Sequence, residues 1–529
     1  MSSNNLLTIR EASQWATQYL DKPISASNIS YLIQYGKISK IKINNELLIN
    51  IDDLTRYYKA INQYKESNWK DKLGHDLNWA LSFSQYKESE TTKHVHRLHP
   101  YKGKFIPQLV EYFLDSHIDD FKKESFFKSG DIILDPFCGS GTTLVESNEL
   151  GMHAVGIDIS AFNALISNSK LYKYNINDIK NEADRISKAL KKFLEDKKNI
   201  EFENELLNEL KVFNDNYFPS PDFRKKVAHN EIDEKKYGFQ KEAEFLPIYK
   251  NLIKKFNIDL ETGHENFLDK WFLKTVRDEI YFTFEQIKTI QNKYTKIILS
   301  IVLSRTIRSC RATTHSDLAT LINPVTSTYY CKKHGKICKP LFSIYGWWDR
   351  YAKDTIKRII DFKKIRTNTY QKCLTGDSRV IDIITELKLK NDKFGSFLDE
   401  QKFAGIFSSP PYVGLIDYHE QHAYSYDLFG FTRRDDLEIG PLFNGQGKEA
   451  RESYVEGIAA VLNNCKRFLA DNYNVFLVAN DKYNLYPLIA EKSGMSIVDR
   501  FKRPVLNRTE RDKAPYSETI FHLKRRDKK

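Results

Sequence analysis

The chain has 529 residues, too many for one ordinary domain, and its 82 Lys and Arg against 70 Asp and Glu give a net charge of +12. Six cysteines are too few for a disulfide scaffold, and no apolar stretch is long enough to cross a bilayer. The first residues are polar, so no signal peptide is expected, and the composition predicts a cytoplasmic protein without a membrane partner. The positive charge favours nucleic acid as a partner, although a lysine-rich codon usage would give the same excess.

Residues 1–62 are predicted to form a separate module. Thr8 stands in an N-cap position before one helical pattern, and Ser25–Ile33 predicts a second helix. The alternating segments Ile38–Ile43 and Glu46–Ile49 then predict a β-hairpin, followed by a short helix from Asp52. This order resembles the winged helix-turn-helix modules of excisionase and MerR-type proteins. Such modules often bind DNA through their second helix, and a protein-docking cap is the alternative interpretation.

The rest of the chain divides by composition into five segments. Residues 98–172 and 373–523 alternate short β-like runs with helical patterns, which is typical of an α/β core. The other segments are a polar and aromatic linker with some helix (63–97), a long, charged and mainly helical insertion (173–372), and a basic tail that we expect to be frayed and solvated (524–529).

A glycine-rich turn, Asp135–Gly141, follows a short apolar strand and precedes a helical pattern that begins at Thr142. Glycines let a backbone approach a ligand closely, and the N–H groups at a helix N-terminus favour an anionic group. A Walker A loop would carry a lysine that this turn lacks, which argues against a nucleoside triphosphate. A second strand ends at Asp158, 23 residues after Asp135, the spacing at which a Rossmann-type fold brings a carboxylate to a ribose.

A second motif follows the apolar run Phe403–Ser408. Ser409-Pro410-Pro411-Tyr412 ends this predicted strand, because two prolines fix an extended backbone that cannot continue a ladder. An aromatic side chain then stands at the carboxyl edge of the sheet, where α/β proteins place their sites. Taken alone, Pro-Pro-Tyr is also typical of a strand-ending turn or of a ligand for a WW domain.

Together the two motifs resemble those of the DNA amino-methyltransferases, which methylate cytosine N4 or adenine N6. Asp-Pro-Phe-Cys-Gly-Ser-Gly-Thr-Thr is similar to their cofactor motif I, and Ser-Pro-Pro-Tyr to their catalytic motif IV. The resemblance covers about residues 95–172 and 373–523. Its other parts are His99–Pro107 as motif X, Asp158 as motif II, Thr375–Ser378 as motif III, Val475–Asp481 as the next core strand and Asn507–Leu523 as the closing β-hairpin.

The resemblance implies a fold of the α/β class: a Rossmann-like class I methyltransferase core with a large, mainly helical insertion and the N-terminal winged helix-turn-helix-like module. It implies S-adenosyl-L-methionine as cofactor and double-stranded DNA as partner. The catalytic residues that it implies are Ser409, Pro410, Pro411 and Tyr412. The cofactor-binding residues are Tyr101, Lys104, Phe105, Asp135, Pro136, Phe137, Gly139, Ser140, Gly141, Thr142, Thr143, Asp158, Ile159 and Asp377.

The resemblance also implies a mechanism in which the target base is flipped out of the duplex. Ser409 and the Pro410 carbonyl would accept hydrogen bonds from the base amine, and Tyr412 would stack on the base. Serine at the first position of motif IV leans toward cytosine N4, whereas Asp or Asn leans toward adenine N6. No Pro-Cys nucleophile of the C5-cytosine enzymes is present.

Several alternatives remain open at this point. They are an N6-adenine DNA methyltransferase, an RNA or protein amino-methyltransferase, and a non-catalytic DNA-binding regulator. The insertion holds no nuclease constellation, so any cognate restriction endonuclease is expected to be a separate protein. The insertion precedes motif III, unlike the commonest arrangement, which leaves open how much of it reads DNA and how much is scaffold.

Two further groups of residues in the insertion have local spacing of interest. Cys310, Cys331, His334 and Cys338, with His315 as another possible ligand, are a zinc candidate that fits no strong zinc template, so no metal is predicted. Arg305, Arg308 and Arg311 lie at helical spacing, where they could face DNA phosphates or form a solvated basic face.

Overall fold

The computed structural model describes residues 5–20, 24–34, 37–43, 46–195, 197–261, 263, 265–315, 323–506 and 514–526. The chain divides into two compact units. Unit 1 comprises Met1–Asp71, Arg185–Gln286 and Thr306–Trp348, and unit 2 comprises Lys72–Asp184, Ile287–Arg305 and Asp349–Lys529. Among the helices in the described ranges, none has both the length and the apolar character needed to cross a membrane.

The N-terminal part of unit 1 combines helices with a three-stranded sheet. Its elements are β1 (Leu6–Thr8), α1 (Ile9–Tyr19), α2 (Ala26–Gln34), β2 (Lys40–Ile43), β3 (Glu46–Asn50) and α3 (Ile51–Leu73). Strand β3 lies between β1 and β2 and is antiparallel to both. The Thr8 side chain accepts a hydrogen bond from the Glu11 N–H, and the Glu11 carboxylate accepts one from the Thr8 N–H, which confirms the predicted N-cap.

Helix α3 has 23 residues and is therefore not the short helix that the sequence predicted. No glycine or proline occurs between Ile51 and Leu73, so nothing ends the helix until Gly74. The first residues of the predicted linker are consequently helical.

Unit 2 contains the segment with the glycine-rich turn. Its elements are α4 (Glu88–Thr91), α5 (Pro107–Leu114), β4 (Ile132–Asp135), α6 (Thr142–Glu149), β5 (His153–Asp158) and α7 (Ala161–Leu171). All four residues of β4 are buried, as expected for a parallel strand that is covered on both faces.

The insertion is mainly helical, as predicted. Its elements are α8 (Ile176–Glu195), α9 (Asn199–Tyr217), α10 (Asp222–Ala228), α11 (Glu234–Phe256), α12 (Phe267–Trp271), α13 (Lys274–Lys288), α14 (Lys293–Ser309), β6 (Tyr329–Cys331), β7 (Lys336–Cys338) and α15 (Tyr345–Lys363). Arg305 and Arg311 are buried, and Arg305 donates a 2.6 Å hydrogen bond to Asp354. The interpretation of a phosphate-facing or solvated row is therefore wrong for these two arginines.

The remaining elements belong to unit 2. They are β8 (Gln371–Thr375), α16 (Ile383–Lys390), α17 (Asp392–Glu400), β9 (Phe403–Ser408), α18 (Tyr418–Gln421), α19 (Ala423–Phe429), α20 (Lys448–Lys466), β10 (Leu469–Ala479), α21 (Tyr486–Lys492), β11 (Met495–Pro504) and β12 (Ser517–Arg525). Strands β11 and β12 form an antiparallel pair, but only β12 falls in the predicted closing hairpin Asn507–Leu523; its partner β11 precedes that range, so the predicted start of the hairpin was wrong. Residues 507–513 lie outside the described ranges. Lys524 and Arg525 belong to β12 and not to a frayed tail.

One seven-stranded sheet organises unit 2. Its order is β11-β12-β10-β9-β4-β5-β8. The neighbours from β10 to β8 are parallel, and β12 is antiparallel to β10 and β11. This mostly parallel α/β sheet confirms the predicted Rossmann-like fold class. The chain order reverses between β4 and β9, and such a switch point opens a crevice at the carboxyl ends of its strands.

The two ends of the insertion are tied together within unit 2. The Arg366 guanidinium donates hydrogen bonds of 2.8 and 3.0 Å to the carbonyls of Leu171 and Tyr172, where the insertion begins. The Thr367 hydroxyl donates to the Asn148 carbonyl at the end of α6. The insertion therefore leaves and rejoins the sheet at neighbouring points.

Candidate active site

The two sequence motifs lie at the carboxyl ends of β4 and β9, which are adjacent strands. A pocket at this edge brings most of the predicted site residues together. Those in its lining are Tyr101, Lys104, Phe105, Pro136, Phe137, Gly139, Ser140, Thr142, Asp158, Ile159, Asp377, Ser409 and Pro411. Five others do not belong to the lining: Asp135, Gly141, Thr143, Pro410 and Tyr412.

The glycine loop between β4 and α6 needs its glycines. Gly141 is the N-cap of α6 with φ +76°, and a Cβ at this position would lie 2.1 Å from the Ser167 hydroxyl oxygen. Gly139 has φ +49° and lies under the Tyr101 ring. The buried ammonium group of Lys170 donates to the Ser140 carbonyl from α7. The loop is therefore held between a side chain of the α7 helix and an aromatic ring.

Asp158, at the end of β5, holds the glycine loop by accepting a hydrogen bond from a backbone N–H of that loop. One carboxylate oxygen accepts a 2.8 Å hydrogen bond from the Gly139 N–H, and the other accepts from the Ser160 N–H at 2.9 Å and the Asn163 amide at 3.1 Å. Burial raises the pKa of Asp158 to about 6, although these hydrogen bonds favour the charged form. This carboxylate is thus both a loop support and a wall of the pocket.

Asp135 in β4 and Thr143 in α6 make hydrogen bonds to β9 and do not line the pocket. The Ser408 hydroxyl donates to Asp135 at 2.5 Å, and the Phe137 N–H donates to the same oxygen at 3.2 Å. The Thr143 hydroxyl donates to the Phe407 carbonyl at 3.2 Å. Burial raises the pKa of Asp135 to about 6. These contacts fix the glycine loop against the strand that carries Ser409.

The Ser-Pro-Pro-Tyr segment is held by neighbouring strands. The Ser409 hydroxyl donates a 3.0 Å hydrogen bond to the Val478 carbonyl near the end of β10. The Tyr412 hydroxyl donates at 2.8 Å to Glu518 of β12, and the buried Arg503 of β11 lies 3.5 Å from that carboxylate. The Tyr412 ring is therefore fixed at its hydroxyl end.

Two charged residues in the pocket lining already have protein partners. The Arg379 guanidinium makes a two-pronged contact with Asp377, with hydrogen bonds of 2.8 and 2.9 Å. The Lys104 ammonium donates at 2.8 Å to the His96 carbonyl, and burial lowers the pKa of Lys104 to about 8.

One wall of the pocket was not predicted from the sequence. It consists of Tyr418 and the segment Leu437–Ile439, and Glu438 in that segment pairs with His419. Leu437–Ile439 lie at the end of a short 3₁₀ turn in the connection between α19 and α20 and carry no local motif, so only the tertiary fold could identify them.

Three buried polar atoms in the lining have no hydrogen-bond partner among the described residues: Ser140 Oγ, Asn163 Oδ1 and Glu438 Oε2. Buried polar atoms are rarely left unpaired in folded proteins. A donor and two acceptors of this kind fit a polar ligand, and the apolar side chains around them fit its less polar parts.

The zinc candidate residues lie in unit 1. Cys331, His334 and Cys338 form a close group with His315, and Cys310 is not one of its members. His315 thus takes the place for which the sequence suggested Cys310.

Comparison with known proteins gives a similarity over almost the whole chain. Residues 27–169 match the family described as DNA methylase. The chain is 47% identical over 527 residues to the type II methyltransferase M.MjaII of Methanocaldococcus jannaschii, covering 99% of this chain and 97% of that protein. It is 31% identical over 106 residues to M.MvaI of Kocuria varians (20% of this chain, 22% of that protein). It is 24% identical over 345 residues to M.BsoBI of Geobacillus stearothermophilus (60% and 62%).

The geometry of Gly141 predicts a local weakness of the glycine loop. Gly141→Ala should lower the free energy of unfolding of unit 2 by about 2–4 kcal/mol, because a left-handed alanine is strained and its Cβ overlaps Ser167. Gly130→Ala is the control, since Gly130 has φ +86° with no atom within 4 Å of a Cβ, and it should cost only about 1 kcal/mol. Denaturant titration of both variants measures the difference, and equal effects would contradict the overlap.

Proposed function

The chain belongs to the DNA amino-methyltransferase family, and from this premise we propose that it methylates N4 of cytosine in duplex DNA. It is a type II DNA methyltransferase, and we assign it to the modification side of a restriction-modification system whose endonuclease is a separate protein. The observation that carries the proposal is the position of Ser409 beside the glycine loop, in one pocket, at the switch point of the sheet.

S-adenosylmethionine is the methyl donor that the family implies, and it supplies an electrophilic methyl group on a sulfonium. The pocket residues fit this molecule, because the unpaired Ser140, Asn163 and Glu438 atoms offer partners for its polar groups. We propose that Asp158 accepts hydrogen bonds from the ribose hydroxyls, and that Asp377 faces the adenine side. The glycine loop, with Tyr101, Lys104 and Phe105 of motif X, would hold the methionine end.

The serine hydroxyl of Ser409 is suited to accept a hydrogen bond from an amine. A hydroxyl has one hydrogen and two acceptor lone pairs. Because the hydrogen is donated to Val478, the lone pairs are available for the amino group of the target base. Ser409 and the Pro410 carbonyl would each accept a hydrogen bond from the target amine. These two hydrogen bonds would hold the amine hydrogens out of the plane of the base and so direct the nitrogen lone pair to the methyl group. Transfer would then be a direct displacement that depends on positioning: the bond from nitrogen to the methyl carbon forms as the sulfonium carbon–sulfur bond breaks, the sulfur keeps the electron pair, and the methylated amine releases one proton to water.

Tyr412 would stack on the flipped base. Its hydrogen bond to Glu518 holds the ring at one end, and Pro410 and Pro411 restrict the backbone before it. A ring that is fixed before the base arrives loses little conformational entropy on binding. The same support serves cytosine and adenine, so the preference for cytosine rests on serine at position 409.

We propose that the helical insertion, residues 173–372, contributes target recognition. The β6–β7 hairpin presents the exposed side chains of Lys332, Lys333 and Lys336, which suit a phosphate backbone. For the module of residues 1–62, DNA contact through α2 and docking to a protein are both consistent with its helices and small sheet.

The identity of the methylated base is the first test of the proposal. Genomic DNA is incubated with the protein and labelled S-adenosylmethionine, digested to nucleosides and analysed by mass spectrometry. We expect N4-methylcytosine. N6-methyladenine would overturn the base assignment, and a label that enters RNA or protein instead of DNA would overturn the substrate.

The roles of Ser409 and Tyr412 predict a separation of transfer from cofactor binding. Ser409→Ala should lower kcat by about 100- to 1,000-fold, because a hydrogen bond formed in the transition state is lost. Tyr412→Ala should lower kcat/KM by about 5- to 150-fold, the value of one base–aromatic stack. Tyr412→Phe keeps the ring and is the matched control. Calorimetry should show unchanged cofactor affinity in all three, and a joint loss of affinity would contradict these roles.

The raised pKa of Asp158 predicts that cofactor affinity depends on pH. Above about pH 6 the carboxylate accepts from the ribose, and below it the protonated group loses this capacity, so affinity should fall as the pH decreases through 6. Calorimetric titrations between pH 5 and 8 measure the effect. Asp158→Asn should bind more weakly at pH 8 and should lack this step. The same step in the variant would assign the titration to another group, with Asp135 first.

A further inference from the structure

The β6–β7 hairpin in unit 1 carries two cysteines on one face. The two strands are antiparallel with Cys331 opposite Lys336 and Tyr329 opposite Cys338. Cys338 is two residues beyond Lys336, so its side chain points to the same side as that of Cys331. The Cys331 carbonyl accepts hydrogen bonds from the N–H groups of His334 and Gly335, which closes the turn. This turn brings His334 between the two thiols.

A second histidine completes a group of four. Ligand atoms of His315, Cys331, His334 and Cys338 all lie within 4.8 Å of one another. The Cys331 sulfur is 3.8 Å from His315 Nδ1 and 3.6 Å from His334 Nδ1, and the Cys338 sulfur is 3.5 Å from His334 Nδ1. Tetrahedral zinc, with Zn–S of about 2.3 Å and Zn–N of about 2.0 Å, places sulfur and nitrogen ligands about 3.5 Å apart. The three sulfur–nitrogen distances, 3.8, 3.6 and 3.5 Å, lie close to this value.

We propose that these four residues bind one structural zinc ion. Two thiolates neutralise the charge of Zn²⁺ and two neutral imidazoles complete four ligands, so no position is open for a substrate. Both thiols are buried and neither forms a disulfide, whereas both histidines reach the surface. The site belongs to unit 1, and the proposed methyl-transfer residues belong to unit 2, so its role is structural.

Hydrogen bonds join the β6–β7 hairpin to three helices of the insertion, so a metal that fixes the hairpin would also stabilise its attachment to these helices. The side chain of Asn214 in α9 makes two hydrogen bonds with the backbone of Ile337, at 2.9 and 3.0 Å. Glu242 in α11 accepts from the Tyr330 N–H at 2.8 Å, and Arg224 in α10 donates to the carbonyls of Lys332 and Lys333. Zinc would therefore fix the lysine-bearing β6–β7 hairpin that these hydrogen bonds hold.

One contact gives a direct alternative to a metal. The Tyr329 hydroxyl lies 2.7 Å from His315 Nδ1, so the group could be a hydrogen-bonded cluster that depends on this hydroxyl. The two interpretations differ in the effect of Tyr329→Phe, which removes the hydroxyl and no metal ligand. If the group binds zinc, Tyr329→Phe should keep the metal, because the zinc ion and not the Tyr329 hydroxyl is the partner of His315 Nδ1.

The test is the metal content of the full chain. Protein purified without chelators and dialysed should contain about one zinc per chain by plasma mass spectrometry. Replacement by Co²⁺ should give the visible absorption of tetrahedral cobalt with a thiolate charge-transfer band. Zinc below a tenth of an equivalent after reconstitution with ZnCl₂ would overturn the proposal, and a different metal at one equivalent would overturn the assignment to zinc.

Variants identify the ligands. Cys331→Ser with Cys338→Ser should lose at least nine-tenths of the zinc and the thiolate band, whereas Cys310→Ser, a buried cysteine outside the group, and Tyr329→Phe should keep both. Chelation by EDTA should lower the midpoint of thermal unfolding of the wild-type chain and leave that of the double variant unchanged. Retention of zinc by the double variant would place the metal elsewhere and overturn the site.

Discussion

A buried carboxylate joins the two halves of the candidate active site. Asp135 ends β4 and accepts a hydrogen bond from Ser408, which ends β9, so the strand before the glycine loop and the strand before Ser409 are linked side chain to side chain. Burial of the Asp135 carboxylate costs free energy, as its raised pKa indicates, and the hydrogen bonds from Ser408 and the Phe137 N–H offset part of that cost. The register of β4 against β9 therefore sets the distance between the glycine loop and Ser409.

Residues of other strands in the sheet hold the remaining parts of the site. Asp158 holds the loop from β5, Val478 orients the Ser409 hydroxyl from β10, and Glu518 holds Tyr412 from β12. Each support comes from a different strand of one sheet, so the site is assembled only when the sheet is complete. Groups held in this way lose little freedom when a substrate binds, which favours catalysis by positioning.

How far the sequence could predict this site depends on whether a residue's role is local. The placement of Asp158 at a strand end beside the pocket follows from spacing within one β-α-β unit, and that of Ser409 follows from the strand before it. Glu518 and Lys170 act through partners that are distant in the sequence, and no local pattern marks them. The prediction of an exposed basic face was wrong for Arg305 for a different reason. Helical spacing shows which residues share a helix face, but it does not show whether that face is exposed.

The closed ends of the insertion have a consequence for how such proteins diverge. Because Arg366 donates hydrogen bonds to the carbonyls of Leu171 and Tyr172, the two ends of the insertion lie close together. For the sheet, the whole insertion is therefore one connection whose ends are neighbours. The entropy of closing a connection rises only slowly with its length. A lineage can therefore lengthen, shorten or replace this continuous stretch of coding sequence while β5 and β8 keep their pairing, so the segment proposed for target recognition can change without rebuilding the sheet.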